Sequence, residues 1–324
     1  MILKEYGQLS KKLLGRNHKM SFTQEVKHEV ANTELGLCCQ KAETAALIQL
    51  SSSMVIKNHK FELSIKTENA TTAKRVFKLM KEQFQAEMKL SVMKKMNLKK
   101  NNIYEIQVLD KTTEILTDLG LWNASGFTSH PSKAIVRKEC CARAYLAGAF
   151  LAAGSINSPK KSNYHCEIVT QDVEHAQYIQ TIMNRFDLGA KYIIRRNQHV
   201  VYLKASEKIS DFLRMIQANN AVLDFEDIRI QRDFHNNLTR LDNCEVANVM
   251  KTMAAAKDQL DVINRLIDQG EFETLDPKIK IVAELRLSHP EASLNELCEK
   301  YEIETGKPIS KSGMKHRLAK LITL

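Results

Sequence analysis

Zinc-finger spacing, a membrane-length apolar run and a phosphate-cradling glycine loop are all missing from this 324-residue sequence. The seven cysteines are odd in number, none stands at C-x-x-C spacing, and no two histidines have zinc-finger separation. Neither a disulfide framework nor a structural zinc is therefore expected. Free thiols suit a reducing cytosol, so the expected location is cytoplasmic. The longest apolar stretch, Tyr145–Ala153, falls well short of the roughly 20 residues that cross a membrane. No secretory leader pattern is visible, and a membrane partner is not expected. A nucleophile elbow is also lacking, and the ten histidines are scattered. These absences leave no expected cofactor and no expected metal.

What is present is positive charge. Lys and Arg number 48 against 38 acids, a formal net charge of +10. Such a surplus favours a polyanion, because each cation that neutralises a phosphate releases a condensed counterion. Double-stranded DNA is the expected partner. A hydrophobic content of 44% supports ordinary cores, and the length suits two domains. Residues 1–19 are polar and basic with little periodicity, and are expected to be a disordered extension. A helix start follows, where Ser21 and Gln24 have capping-box spacing.

An internal repeat organises the first two thirds of the chain. Cys38–Met54 and Cys140–Ile156 align at an offset of 102 residues, with Cys38, Cys39, Ala42, Ala45 and Ser53 meeting identical residues. Each copy is followed by a strand (Phe61–Thr67, then His165–Thr170) and an amphipathic helix (Thr71–Gln85, then Val173–Phe186). Two more strands come next: Met88–Met93 with Ile103–Leu109, and Ala190–Arg195 with His199–Lys204. A closing helix ends each half, Thr112–Leu119 and Glu207–Ile216, and a further strand is expected near Met54–Ile56. The fold class is α+β, a pseudo-two-fold domain over residues 20–223 in two repeats, about 20–125 and 126–223. The repeated helices are rich in Ala and Gly, so two backbones are expected to pack closely at the centre. The cysteine pairs that begin them are read as packing groups, with a redox or metal role as the lesser alternative.

Residues 277–322 read as three helices. Asp276-Pro277 supplies a cap and a first-turn proline, with Ile279, Val282 and Leu285 turned inward before Pro290. Ser293 and Glu296 form a second capping-box pair ahead of Leu294, Leu297 and Cys298. After Gly306 and Pro308, a third helix begins at Ser310 with Met314, Leu318 and Leu321 on one face. Its other faces carry Lys311, Ser312, Lys315, His316, Arg317 and Lys320. From Lys307 to Lys320 there are five Lys or Arg and no acid. Charge is thus concentrated where a recognition helix enters the major groove. Upstream, Glu245–Gln269 reads as one or two helices with a stripe of Leu260, Ile263, Leu266 and Ile267. The expected arrangement is a linker over 224–243 and an all-α helix-turn-helix domain over 244–324.

Two resemblances follow from these residues. Leu146–Gly154, LAGAFLAAG, resembles the nine-residue helix of LAGLIDADG homing endonucleases, and Thr44–Ser52 resembles a weaker first copy. In that family the acid at the eighth position binds the catalytic divalent metal. Here Ser51 and Ala153 occupy those positions, and Gln49 and Leu151 replace the motif's other acid. Neither a hydroxyl nor a methyl supplies the anionic oxygen that Mg²⁺ requires. Over residues 20 to about 322 the chain also resembles the WhiA family of sporulation and cell-division regulators. That likeness rests on Ser21-Phe22-Thr23, Tyr145–Ile156, Arg240–Asn248, His289–Leu294 and Ile309–Leu318. It implies a non-enzymatic transcription regulator in cell division, chromosome segregation or sporulation. It further implies a C-terminal domain similar to the promoter-reading domain of sigma factors.

Secondary DNA contacts are expected from Lys94, Lys95, Lys99 and Lys100 between two strands, and from Arg195 and Arg196 at the equivalent place. Arg229, Arg232 and Arg240 would lie on one polar face if their segment is helical. Three functions stay open on residues alone. The first is a regulator whose promoter site is read by the helix-turn-helix, with another regulator or RNA polymerase as protein partner. The second is a cutting or nicking homing endonuclease drawing on acids such as Asp110, Glu139 or Glu167. The third is a nucleoid-associated architectural protein that binds through charge. If the sheets no longer touch DNA, the first domain takes a protein or a small ligand instead.

Overall fold

A computed structural model describes residues 20–57, 60–94 and 102–323. The expected extension 1–19 lies outside the described residues. The chain divides after Gln231 into two compact units.

The first unit opens with α1 (Phe22–Ala31), whose capping box joins the Ser21 side chain to the Gln24 amide and the Gln24 side chain to the Ser21 amide. Then follow α2 (Leu37–Ser51), β1 (Ser52–Lys57), β2 (Lys60–Thr67), α3 (Ala70–Phe84), β3 (Met88–Lys94), β4 (Asn102–Val108) and α4 (Thr112–Asp118). A two-stranded hairpin, β5 (Trp122–Asn123) and β6 (Gly126–Phe127), separates the repeats and is not visible in the sequence pattern. The second repeat runs α5 (Glu139–Ala153), β7 (Gly154–Ile156), β8 (Cys166–Thr170), α6 (Val173–Arg185), β9 (Lys191–Arg195), β10 (Gln198–Leu203) and α7 (Ser206–Met215). The two antiparallel sheets have the same strand order, β1-β2-β4-β3 and β7-β8-β10-β9, which is the expected pseudo-two-fold plan. Asn69 and Asp172 cap α3 and α6 alike, each accepting from two first-turn amides.

The central contact is α2 against α5. Ala42, Ala45, Ala46, Leu47 and Ile48 of α2 are fully buried, as are Ala142, Tyr145, Leu146, Ala149, Phe150 and Leu151 of α5. A Cβ on Gly148 would sit 2.5 Å from the Glu43 carbonyl oxygen and 3.1 Å from the Ala46 Cβ. The two backbones therefore meet at a distance only glycine permits. At the end of α5 the chain passes directly into β7 through Gly154, where a Cβ would fall 2.3 Å from the Phe150 ring. Beside this seam lies a buried ion pair. The Arg75 guanidinium on α3 grips Glu43 on α2 with two bonds, 3.0 and 2.7 Å. The Tyr145 hydroxyl meets His175 Nε2 at 2.7 Å in a fully enclosed site.

An uninterrupted helix, α8 (Asn219–Asp268, 50 residues), spans the division between units. The segment 224–243, expected as a linker, is helical throughout, and the helices expected from 245 onward continue it. The reason is local: neither glycine nor proline occurs between Asn219 and Asp268. Its first turns belong to the first core, where Ala221, Val222 and Phe225 are buried and Phe225 packs on Phe22 and Tyr164. Residues 233–251 are all exposed. Ile263 and Leu266 then enter the second core as expected, whereas Ile267 is exposed.

The second unit adds α9 (Pro277–Ser288), α10 (Leu294–Thr305) and α11 (Lys311–Ile322), each with the start anticipated from its cap. Val282, Leu285, Leu297, Tyr301, Met314 and Leu318 form one core cluster. Leu321 joins Ile263, Leu266, Ile279 and Ala283 in the other. Gly306 ends α10 at φ +68°, a left-handed cap that favours glycine. Arg286 is 2% exposed. It donates to Gln259 Oε1 at 2.9 Å and to the Ala292 carbonyl at 2.7 Å, with longer bonds to the carbonyls of His289 and Pro290. A buried cation thus holds the turn between α9 and α10.

Two outcomes follow. Gly148→Ala forces the central helices apart and is expected to destabilise by about 2 kcal/mol, lowering Tm by about 4–8 °C in thermal denaturation. An unchanged Tm would mean the helices do not meet there. Burial pushes the His175 pKa down to about 4, while the unfolded chain takes up that proton near pH 6.5. The stability that a neutral His175 contributes is therefore present above pH 6.5 and is lost as pH falls toward 4. Denaturant midpoints between pH 7 and 4.5 should show the protein losing about 2–3 kcal/mol more than His175→Gln loses. Equal pH slopes would show that His175 is not held neutral.

Candidate nucleic-acid interface

With about 100° of turn per residue, the three core residues Met314, Leu318 and Leu321 fix which way α11 faces. Ser312 and His316 then point opposite the core, flanked by Lys315, Ala319 and Lys320. Ser312, Lys315, His316 and Lys320 are exposed, as is Lys311 at the start of the helix. Ser310 caps this start, its hydroxyl accepting from the Gly313 amide at 3.1 Å. A helix N-terminus carries positive partial charge, so Lys311 in the first turn and Lys307 just upstream oppose it. Lys320 in the last turn complements it. The dipole therefore explains only one end of the basic face. A phosphate at the N-terminal end would relieve the repulsion there and collect free amides as well.

Arg317 is placed differently from the other candidates on this helix. It is half-buried, its Nη1 donates to the Tyr301 hydroxyl at 2.8 Å, and its guanidinium lies 5.1 Å from that ring's centre. It braces α11 against α10 at the border of the basic face. Tyr301 was not among the expected site residues, and a lone tyrosine before the last turn of a largely acidic helix was its one local signal.

The secondary candidates divide three ways. Lys94 is exposed at the end of β3, while Lys95, Lys99 and Lys100 lie outside the described residues. Arg195 is exposed on β9 but reaches back to Glu167 at 3.1 Å, and Arg196 occupies the tight hairpin turn at φ +51°. Arg229 is held at 2.7 Å by Glu226 and at 3.5 Å by Glu207, so its charge is already matched by this chain's own carboxylates. Arg232 is half-buried, and Arg240 is exposed within the 233–251 stretch. Exposed apolar side chains accompany the cations on the sheets: Val55, Ile56, Leu90 and Val92 on the first, Ile193 and Ile194 on the second.

At the feet of the central helices, each lost metal-ligand position is taken by a neutral group. The Ser51 hydroxyl donates to the Leu47 carbonyl within its own helix. Gln49 Nε2 ties the helix to the carbonyls of Thr128 and Ser129 at 3.1 and 2.9 Å. Leu151 is fully buried and Ala153 half-buried. Glu167 comes nearer to a helix foot than its sequence position implied, because β8 pairs it with Ser155, whose hydroxyl is 3.3 Å away. Partial burial opposes its ionisation, yet His165 at 2.9 Å and the Arg195 guanidinium hold its carboxyl below the usual range. The acid is occupied by local partners. Among the described residues, one side-chain group is close enough to hold a metal. It comprises Cys38, Cys39, Cys140 and Cys141, whose sulfurs all lie within 4.8 Å of one another.

Comparison with known proteins agrees with this architecture in all three segments. Family models match as the WhiA N-terminal LAGLIDADG-like domain over residues 37–122, the WhiA LAGLIDADG-like domain over 142–235, and the WhiA C-terminal HTH domain over 238–324. Relatives named "Probable cell division protein WhiA" from Bacillus cytotoxicus and Bacillus cereus are each 43% identical over 303 residues. That alignment spans 93% of this chain and 95% of theirs. The crystal structure of a full-length WhiA protein from Thermatoga maritima superposes with a TM-score of 0.56 at 21% identity. It covers 94% of this chain and 97% of that one, and so shows the same fold. A repeated LAGLIDADG-like domain with neutral helix feet, joined to a helix-turn-helix and matched across nearly its whole length, places this chain in the WhiA family.

Proposed function

We propose that this protein binds double-stranded DNA in a sequence-selective way through α11 and regulates transcription linked to cell division, chromosome segregation or sporulation, without cutting DNA. The observation that carries the reading is the face of α11 opposite its core. Ser312, Lys315, His316 and Lys320 stand exposed there in a stretch with no acid. Long cationic donors on such a face reach phosphates and guanine edges, while Ser312 is short enough to let the helix approach the groove floor. The cell-division names of the relatives support the process, and the net charge of +10 supports residence on the nucleoid in the cytoplasm. The neutral feet of α2 and α5 and the engaged Glu167 support a DNA binder that does not hydrolyse its target. The apolar side chains exposed on the sheets favour a protein partner for the first unit, such as another regulator or RNA polymerase.

The test is retention of pooled genomic fragments at ~150 mM salt with Mg²⁺, comparing the protein with a Lys315→Ala, His316→Ala, Lys320→Ala variant. Selective retention that is lost in the variant, with DNA intact, is expected. The salt dependence of binding should also flatten by about 2 in log–log slope, one phosphate contact for each lysine removed. Unchanged retention would relocate binding to Lys94, Arg196 and the sheets. Steep salt dependence without sequence preference would favour an architectural role, and cleaved fragments would restore the nuclease reading. Arg317→Ala is expected to separate from the triple variant. It should lower Tm by a few degrees through loss of the Tyr301 contact, which is worth about 1 kcal/mol, and weaken binding less. A large binding loss with unchanged Tm would put Arg317 on the DNA after all.

A further inference from the structure

We infer that Cys38, Cys39, Cys140 and Cys141 form a tetrathiolate site for one thiophilic cation of the Zn(II) kind, which clasps the two repeats at the head of their shared helix pair. No metal-ligand spacing marks it, since neither pair has C-x-x-C spacing, and only the repeat at an offset of 102 residues relates the two pairs. The fold brings them together because α2 and α5 pack side by side with their N-termini at the same end. Each pair occupies the second and third positions of its helix.

The distances suit the ion. A tetrahedral site with Zn–S bonds of about 2.3 Å separates its sulfurs by roughly 3.8 Å. The Cys38–Cys39 and Cys140–Cys141 sulfurs are each 3.9 Å apart, and all four fall within 4.8 Å. Closing the remaining edges needs less than about 1 Å of movement, within the reach of a χ1 adjustment. Packing does not explain the set. Cys38 and Cys140 are exposed, so two of the four sulfurs gain little by being apolar.

The electrostatics suit a thiolate cluster as well. Neither helix has a side-chain cap: Gly36 has no side chain to offer and Lys138 makes no capping bond. Two positive helix ends therefore converge on the sulfurs, which stabilises thiolate. Four thiolates and a divalent cation leave a net −2, and these ends with Lys138 partly offset it. Without a cation the four cannot ionise together. Hydrogen bonds from Cys141 and Cys39 pull the Cys38 pKa down, whereas burial pushes the Cys141 thiol up to about 11 and Cys39 higher still. Loading the ion releases those protons, so affinity must weaken as pH falls. Access is open: a cavity of about 410 Å³ is lined by Cys39 and Cys140 together with Glu43, Glu139, Arg143 and Arg214.

The test uses the full chain, purified with a thiol-free reductant and stripped of metal. Titration with Co(II) should give one equivalent per chain with the charge-transfer and d–d absorption of a tetrahedral tetrathiolate, bleached by an equivalent of Zn(II). Zn(II) should raise Tm by several degrees, because it binds the folded state. The double variant Cys38→Ser, Cys140→Ser changes only exposed side chains. It should fold with the Tm of the metal-free protein, and should lose both the cobalt spectrum and the zinc-induced shift. Loss of the spectrum in a variant whose metal-free Tm has collapsed would be resolved by Cys38→Ser alone, for which a weakened and altered cobalt spectrum is expected. An absent tetrathiolate spectrum in the reduced protein, a zinc shift that survives the double substitution, or thiols that merely oxidise to disulfide without retaining metal would each overturn the inference.

Discussion

Two helix backbones in direct contact set the terms for the first unit. α2 and α5 approach until Gly148 touches the Glu43 carbonyl, and every residue near that point is either small or fully buried. In so tight a seam a buried charge or polar head is costly without a partner. Glu43 is accordingly gripped by two bonds from Arg75, and Tyr145 by His175. Removing Arg75 would strand the buried Glu43 carboxylate, which destabilises far more than the ion pair itself stabilises. The identical strand order of the two sheets follows, because each sheet is anchored to the seam by a helix that runs straight into its first strand.

The same seam is where the sequence was most legible, and for a physical reason. Close packing permits few side chains, so both copies carry Ala and Cys in register, and the repeat could be read at an offset of 102. Strands and helices of each half were legible through their period, and the helix starts read at Ser21, Ser293 and Ser310 are capped there. What escaped detection depends on chain segments meeting in space. No local pattern joins Cys38 to Cys140 or brings Glu167 beside Ser155. Nothing local marks Arg286, and only the fold shows it surrounded by Gln259 and three carbonyls. The continuity of α8 was hidden for another reason. A polar helical face and a polar linker have the same composition, and only the lack of Gly and Pro separates them.

In the second unit the division between structural and available charge is made side chain by side chain. Arg286 and Arg317 carry the same guanidinium, yet one is enclosed under a turn and the other rests on Tyr301 at the border of the basic face. Lysines dominate the exposed side. A lysine head is a compact, strongly hydrated charge on a flexible stem, suited to following a phosphate without fixed geometry. Within α9–α11 the two rigid forks brace the protein, and the mobile lysine charges are left for a partner.

The seam also has a consequence in time. Its two halves are about 100 residues apart in the chain, so at a synthesis rate of 5–20 residues per second the first helix waits roughly 5–20 seconds for the second. During that interval the first repeat has left the ribosome with its most closely packing surface uncovered. A bare Ala-rich helix face on a nascent chain will pair with any equivalent face nearby, including that of a neighbouring nascent copy. Having both halves in one polypeptide holds the proper partner at high local concentration once it emerges. Slow decoding between the repeats would lengthen the exposure and should shift the product toward aggregated or domain-swapped chains.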